Sequence, residues 1–295
     1  KYGQNNIFYL SAHKNHFNNA LQDYNIKIND LKTEISYFGF RLWHFLSSKR
    51  KLLSKNSIEK FDLIIDLQSK LRNTLILKQI PNRHFYSSTL NFKFCSTHKD
   101  YISTKYDNNN IILNLEKLLN DKIVFRKYDT DLIENKYFTE AKRLLPDSNY
   151  IGFSITQGNA YRKKSWPIEK FLSVANKILK QNKIPVFFIE RNNIDLINKI
   201  KNEIQNVLIP ELDSNLSGPP LVTALSKRLE KAISIDNGIM HMIGLANIPM
   251  TVLFGPTNSK KFSPKIKNIN ILDSKILYNS DEISKIKEED VLNLI

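Results

Sequence analysis

Along this chain, short runs that are apolar throughout alternate with stretches whose apolar residues recur at helical spacing. The runs Ile7–Ala12, Phe61–Leu67, Tyr150–Ile155, Ile184–Ile189, Ala232–Ile235 and Met250–Phe254 read as strands. The stretches Asn135–Leu145, Pro167–Gln181, Ile194–Asn202, Leu221–Lys227 and Ile239–Leu245 read as helices. Strands without a polar face, separated by helices, belong to parallel sheets covered on both sides. The fold class is therefore α/β. Leu145-Pro146-Asp147-Ser148-Asn149 is polar, contains a proline and precedes a fresh strand, so the pattern predicts two Rossmann-like domains, 1–147 and 148–295. No internal repeat or low-complexity tract is evident.

Length and composition agree with that division. The 295 residues suffice for two domains with separate cores. A hydrophobic content of 41% with 25% charged residues describes a soluble globular chain. No apolar run approaches the roughly 18–20 residues of a membrane span, and no signal peptide is visible, so the expectation is a cytoplasmic protein. Cys95 is the single cysteine, which excludes an internal disulfide. The chain begins at Lys1 rather than Met, and we expect an N-terminal piece to be absent.

The net charge of +15 has a bland source in a composition rich in Lys, Asn and Ile. Such a bias should be uniform, yet Phe38–Lys105 holds 13 Lys and Arg against 4 Asp and Glu. Within it the aromatic stretch Tyr37–Leu46 runs into Lys49-Arg50-Lys51. That arrangement suits a helix lying on an anionic membrane surface or facing a phosphorylated acceptor, and equally a core-facing helix with a solvated basic end. Charge is the sole support for a nucleic-acid-binding protein, because no recognition motif accompanies it, and nucleic acid is not expected as a partner.

The candidate chemistry lies in the second half. Asp236-Asn237-Gly238-Ile239-Met240-His241 stands between an apolar strand and a helix start, the arrangement of an anion site. Gly238 lets the backbone approach a ligand, and the N–H groups and positive end of the helix dipole face it. Gly255-Pro256-Thr257 opens a turn at the carboxyl edge of the next strand, where ligands of open α/β sheets collect. The loop Gly158–Pro167 carries Arg162, Lys163 and Lys164 and a helix-opening Pro167, and it too points to an anionic ligand. Trp166 reads as a packing anchor, and Asp129-Thr130-Asp131 as a helix cap rather than a metal signature. His13, His16, His44, His84 and His98 lack metal-type spacing, and no Gly-x-Ser-x-Gly elbow or Walker loop occurs.

Lys164-Ser165-Trp166-Pro167, the Asp236–His241 turn and Phe254-Gly255-Pro256-Thr257 occur in the order and at the spacing found in family-nine glycosyltransferases, the bacterial heptosyltransferases of lipopolysaccharide core assembly. Phe61–Gln68 is similar to a strand of that family's N-terminal domain, and Ile286–Val291 to its last helix. The resemblance implies a GT-B fold, with the active site in a cleft between an acceptor-side and a nucleotide-sugar-binding domain. It implies inverting, metal-independent transfer of a heptose from ADP-heptose to a phosphorylated glycolipid acceptor at the cytoplasmic face of the inner membrane. No cofactor is implied beyond the nucleotide-sugar donor. Inverting transfer needs a base for the acceptor hydroxyl and stabilisation of the departing diphosphate, but no enzyme nucleophile.

Carried over by position, the resemblance implies donor-binding roles for Lys164, Glu190, Asp236, Asn237, Gly238 and His241; Gly158 joins them from its place in the cationic loop, and Lys49, Arg50 and Lys51 are expected at the acceptor or membrane surface from the charge pattern alone. Asn237 departs from the Ser or Thr usual after that Asp. Glu190 lacks the Gly that usually precedes the nucleotide-binding acid. Ile7–Ala12 looks like the family's second strand, so a first strand-loop-helix unit of roughly 25 residues, bearing the Asp taken as catalytic base, is expected to be missing. No residue of this chain is assigned as base. A nucleotide-sugar-binding module without catalysis is the alternative reading.

Overall fold

The computed structural model describes residues 6–10, 16–30, 59–68, 70–96, 106, 111–123, 128–158, 161 and 163–295. These form two compact units, one within residues 1–127 and one comprising Asp23–Asn25 and Tyr128–Ile295.

In the first unit, β1 (Phe8–Tyr9) pairs in parallel with β2 (Asn29–Asp30), and β3 (Phe61–Asp66) with β4 (Asn82–Ser87). Helix α1 (Leu71–Lys78) joins β3 to β4, and α2 (Ile111–Leu119) follows. Tyr86, Phe92, Cys95, Leu115 and Leu118 form a local core. The Asp66 carboxylate is buried at the carboxyl end of β3 and accepts hydrogen bonds from the Thr74 hydroxyl at 2.5 Å and the Ser87 hydroxyl at 2.9 Å. Of the expected strand Ile7–Ala12, Phe8–Tyr9 forms the strand itself, and Ser11 and Ala12 lie outside the described residues.

The second unit runs α3 (Asn135–Leu144), β5 (Tyr150–Ser154), α4 (Ile168–Leu179), β6 (Ile184–Phe187), α5 (Ile194–Glu203), α6 (Pro219–Ser226), β7 (Leu229–Ile235), α7 (Gly238–Ala246), β8 (Met250–Phe254), α8 (Ser259–Phe262), β9 (Ile269–Asp273), α9 (Ser274–Tyr278) and α10 (Glu288–Leu292). All five strands are parallel, in the order β6-β5-β7-β8-β9. The α/β class with parallel sheets is thus as the pattern predicts. Every residue of β5 and β8 is buried, which is why both read as unbroken apolar runs. Because β6 lies on one side of β5 and β7 on the other, the chain reverses its winding there. The carboxyl ends of β5 and β7 flank this switch point, where open α/β sheets form a ligand crevice.

The expected boundary at 147/148 falls inside the second unit. Arg228 donates to the carbonyl oxygens of Leu145, Pro146 and Asp147 at 2.9, 2.8 and 3.0 Å, so the proline-containing loop is tied down rather than serving as a linker. Glu140 of α3 accepts from the Ser214 hydroxyl at 2.6 Å, and Arg143 donates to the Asp213 carbonyl at 2.6 Å. Tyr24 is buried in the same unit, its hydroxyl 2.7 Å from Thr223 Oγ1 and its carbonyl 2.6 Å from the Tyr128 hydroxyl.

Candidate active site

The loop after β5 and the turn after β7 meet at the switch point. Lys164 Nζ pairs with an Asp236 carboxylate oxygen, and the two side chains are only 12% and 8% exposed. The Lys164 amide donates to Gln157 Oε1 at 2.9 Å, and the preceding residue Lys163 adopts a positive φ of 49°. A left-handed conformation is costly for lysine and persists where the surroundings impose it. Here it accompanies the turn that brings Lys164 onto Asp236, a pair separated by 72 residues in sequence.

Asn237 fixes the turn itself. Its Oδ1 accepts the Met240 amide at 2.8 Å, capping α7, while its Nδ2 donates to Ser154 Oγ at 2.7 Å and the Thr156 carbonyl at 2.9 Å. Both the oxygen and the nitrogen of its amide are committed to the protein, so Asn237 shapes the backbone of the turn. In front of α7 the surface is open. A Cβ built on Gly238 meets nothing within 4 Å, and the same holds for Gly158. The amides of Gly238 and Ile239 precede the helix's first internal hydrogen bonds, which leaves them for an anion at the positive end of the dipole.

His241 stands one turn along, on the exposed side of α7. Crowding by protein atoms strips hydration from the ring and lowers its pKa below the ordinary histidine value; Asp236 opposes that shift and Lys164 adds to it. Glu190 is exposed just beyond β6, on the far side of β5 from Asp236. Lys49, Arg50 and Lys51 lie outside the described residues.

Sequence reasoning missed several neighbours. Gln157 and Ser154 hold the loop and the turn, and a single polar residue closing an apolar strand was the available signal. Glu211 was also missed. Burial raises its carboxyl above the usual range, Arg191 works against this, and nearby Glu190 adds to it. Arg191 in turn donates to the carbonyls of Glu211 and Ser214 at 2.9 and 2.7 Å. Trp166 is the packing anchor expected, 2% exposed with its indole N–H 3.0 Å from the Ile286 carbonyl. Pro167 caps α4 instead of occupying its first turn. Asp129 accepts the Asp131 amide at 3.0 Å and caps a short 3-10 turn.

The family model for glycosyltransferase family 9 (heptosyltransferase) matches residues 49–292. This chain belongs to glycosyltransferase family 9. No curated protein matches it. Among solved structures it resembles the family-9 glycosyl transferase of Veillonella parvula, at 19% identity and a TM-score of 0.62 over 94% of this chain and 84% of that one. Escherichia coli heptosyltransferase WaaC, solved with ADP-2-deoxy-2-fluoro heptose, gives 13% identity and a TM-score of 0.57 over 95% and 86% of the two chains. Escherichia coli ADP-heptose lps heptosyltransferase II gives 15% and 0.54 over 93% and 84%. The fold is of the GT-B type, and the protein is a glycosyltransferase.

In this family-9 enzyme the glycines divide by what surrounds them. A Cβ on Gly244 would sit 2.8 Å from Pro264 Cβ, and one on Gly255 would sit 2.8 Å from Ile283 Cβ, so packing accounts for both. Packing does not account for Gly238. We expect Gly238→Ala to change stability by less than about 0.5 kcal/mol, since it faces open space in a helix first turn, whereas Gly244→Ala costs about 1–3 kcal/mol by overpacking. Nucleotide affinity should reverse that order, falling for Gly238→Ala. A Gly238→Ala protein that binds ADP like wild type would show that no ligand approaches this backbone.

Proposed function

We propose that this enzyme transfers a heptose, or a closely related sugar, from ADP-heptose to a phosphorylated lipopolysaccharide core acceptor, with inversion at the anomeric carbon. The observation that carries the reading is the Lys164–Asp236 pair beside the open N-terminus of α7 at the switch point of the sheet. The structures of Escherichia coli WaaC with ADP and with ADP-2-deoxy-2-fluoro heptose support it.

As the glycosidic bond to the diphosphate breaks, negative charge grows on the leaving oxygens. The Gly238 and Ile239 amides, the dipole of α7, Lys164 and His241 offer preorganised positive charge for it. Such neutralisation requires no metal. Asp236 holds Lys164 at the sheet edge, and Glu190 approaches the nucleoside from the β6 side. In this reading the second unit binds the donor, and Lys49, Arg50 and Lys51 supply cations for the phosphorylated lipid acceptor. The enzyme works in the cytoplasm against the inner-membrane surface. The acceptor's base is unassigned.

Calorimetry with ADP and a transfer assay with ADP-heptose and phosphorylated core acceptor test the reading. Lys164→Ala and His241→Ala should each weaken ADP binding roughly tenfold to a hundredfold, the range of a lost charge-assisted hydrogen bond. His241 has a lowered pKa, so it is neutral near pH 7, and a bound diphosphate favours its protonated form. ADP affinity should therefore rise as pH falls from neutrality, with a slope that His241→Asn diminishes. Unchanged ADP affinity in both alanine variants removes the diphosphate site. ADP-heptose binding without transfer leaves a nucleotide-sugar-binding module.

A further inference from the structure

Across Tyr128–Ile295 there are 23 Lys and Arg against 19 Asp and Glu, and four of those cations fall in Asn258–Lys267, which holds no carboxylate. Outside these ten residues the unit's charges balance. Lys260, Lys261, Lys265 and Lys267 are all exposed, and among the described residues none forms an ion pair with a carboxylate. The nearest carboxylate along the chain, Asp273, is buried and committed to the Ser259 hydroxyl at 2.6 Å and the Lys275 amide at 2.9 Å.

The strip is also apolar and firmly held. Phe262 is 40% exposed, with Lys261 Nζ 5.4 Å from its ring centre, and Leu245 of α7 is 38% exposed. Pro264 packs so closely on Gly244 that a Cβ there would come within 2.8 Å, which links the strip to α7 beside Leu245. Asn258 caps α8 through the Lys261 amide at 3.1 Å, and Lys265 Nζ donates to the Lys260 carbonyl at 3.0 Å.

We propose that Asn258–Lys267, with Leu245, is a surface that docks on an anionic lipid bilayer. Exposed cations around an exposed aromatic ring match a planar interface, where lysines meet headgroup charge and the ring enters the headgroup boundary. A single phosphate would need a buried cradle, and none of the four lysines is buried. A nucleic-acid duplex would take the cations but leave Phe262 and Leu245 in water, and a single strand stacking a base on Phe262 would still leave Leu245 uncovered. The proposal makes no use of Lys49, Arg50 and Lys51, and lipid binding by Asn258–Lys267 requires no nucleotide, so its failure is distinguishable from failure of the donor site. Because α8 follows β8 from the carboxyl edge of the sheet, docking would keep the donor site near the bilayer.

The test is vesicle sedimentation of the full chain with phosphatidylcholine alone and with equal parts phosphatidylcholine and phosphatidylglycerol. Each lysine near an anionic surface contributes about fivefold, so joint replacement of Lys260, Lys261, Lys265 and Lys267 by Gln should weaken binding to the anionic vesicles by roughly several hundredfold. Raised salt should abolish the difference. ADP affinity of the same variant should stay at the wild-type value, which also reports its folding. A second variant, Phe262→Trp, should show fluorescence quenched by brominated lipid beyond the wild-type level. Equal vesicle binding by wild type and the quadruple variant overturns the proposal. So does binding that ignores lipid charge, a Phe262→Trp protein whose added fluorescence brominated lipid does not quench, or cation-dependent binding of single-stranded RNA without binding to the vesicles.

Discussion

Replacing Lys164 by alanine is expected to lower the melting temperature by roughly 6–12 °C. Removing one partner of a nearly buried ion pair strands the other charge, at a cost of about 3 kcal/mol, and each kcal/mol moves the midpoint of a unit of this size by roughly 2–4 °C. Both side chains are more than four-fifths covered, so solvent screens the loss little. Removing the pair as a whole should behave differently. Lys164→Met with Asp236→Leu fills the same space without charge and should recover most of the stability. ADP binding should not recover with it, because the diphosphate has lost its lysine in both proteins. Calorimetric melting and ADP titration of the single and double variants check both halves. A double variant as unstable as Lys164→Ala would mean that the stranded charge is not the source of the loss.

The contrast between the two halves of that expectation follows what the sequence made legible. β5, β8 and the second half of β7 stood out because burial on both faces leaves them almost wholly apolar, and the Asp236–His241 turn stood out because it interrupts such a run. β4 escaped notice because Asn82, Arg83 and His84 open it with polar residues on a two-stranded pair. β9 escaped because it lies at the sheet edge, where polar Asn270 is half-buried and Ile271 is exposed. The start of β7 was cut short by Glu230 and Lys231. The division between the units was misread because a Pro-containing loop looks like a linker in sequence, and nothing local reveals that Arg228, 82 residues from Pro146, grips its carbonyls.

The site residues were legible as types and only partly as roles. Lys164 and Asp236 read separately as a phosphate cation and a donor contact; their pairing is a tertiary fact that no spacing announces. Asn237 read as a hydrogen-bonding residue toward the donor, but its three bonds run to the protein. Its substitution therefore carries a large expected effect through structure.

Asn237→Ala should cost about 3 kcal/mol, combining the loss of a helix N-cap at about 1 kcal/mol with two further hydrogen bonds of about 1 kcal/mol each, one of them donated to buried Ser154. Asn237→Ser retains a capping oxygen for the Met240 amide and gives up the two bonds to Ser154 and Thr156, so about 2 kcal/mol is expected, less than alanine by the retained cap. Asn237→Asp also retains the cap, but it turns a carboxylate oxygen toward the Thr156 carbonyl where an N–H now lies, and repulsion there should make it as damaging as alanine. Urea midpoints measured at unchanged slope give the order Ser, then Ala and Asp together. ADP affinity should follow the same order, because the turn positions the Gly238 and Ile239 amides that receive the diphosphate. If aspartate matched wild type in stability, the clamp to β5 would carry no weight and the cap alone would hold the turn.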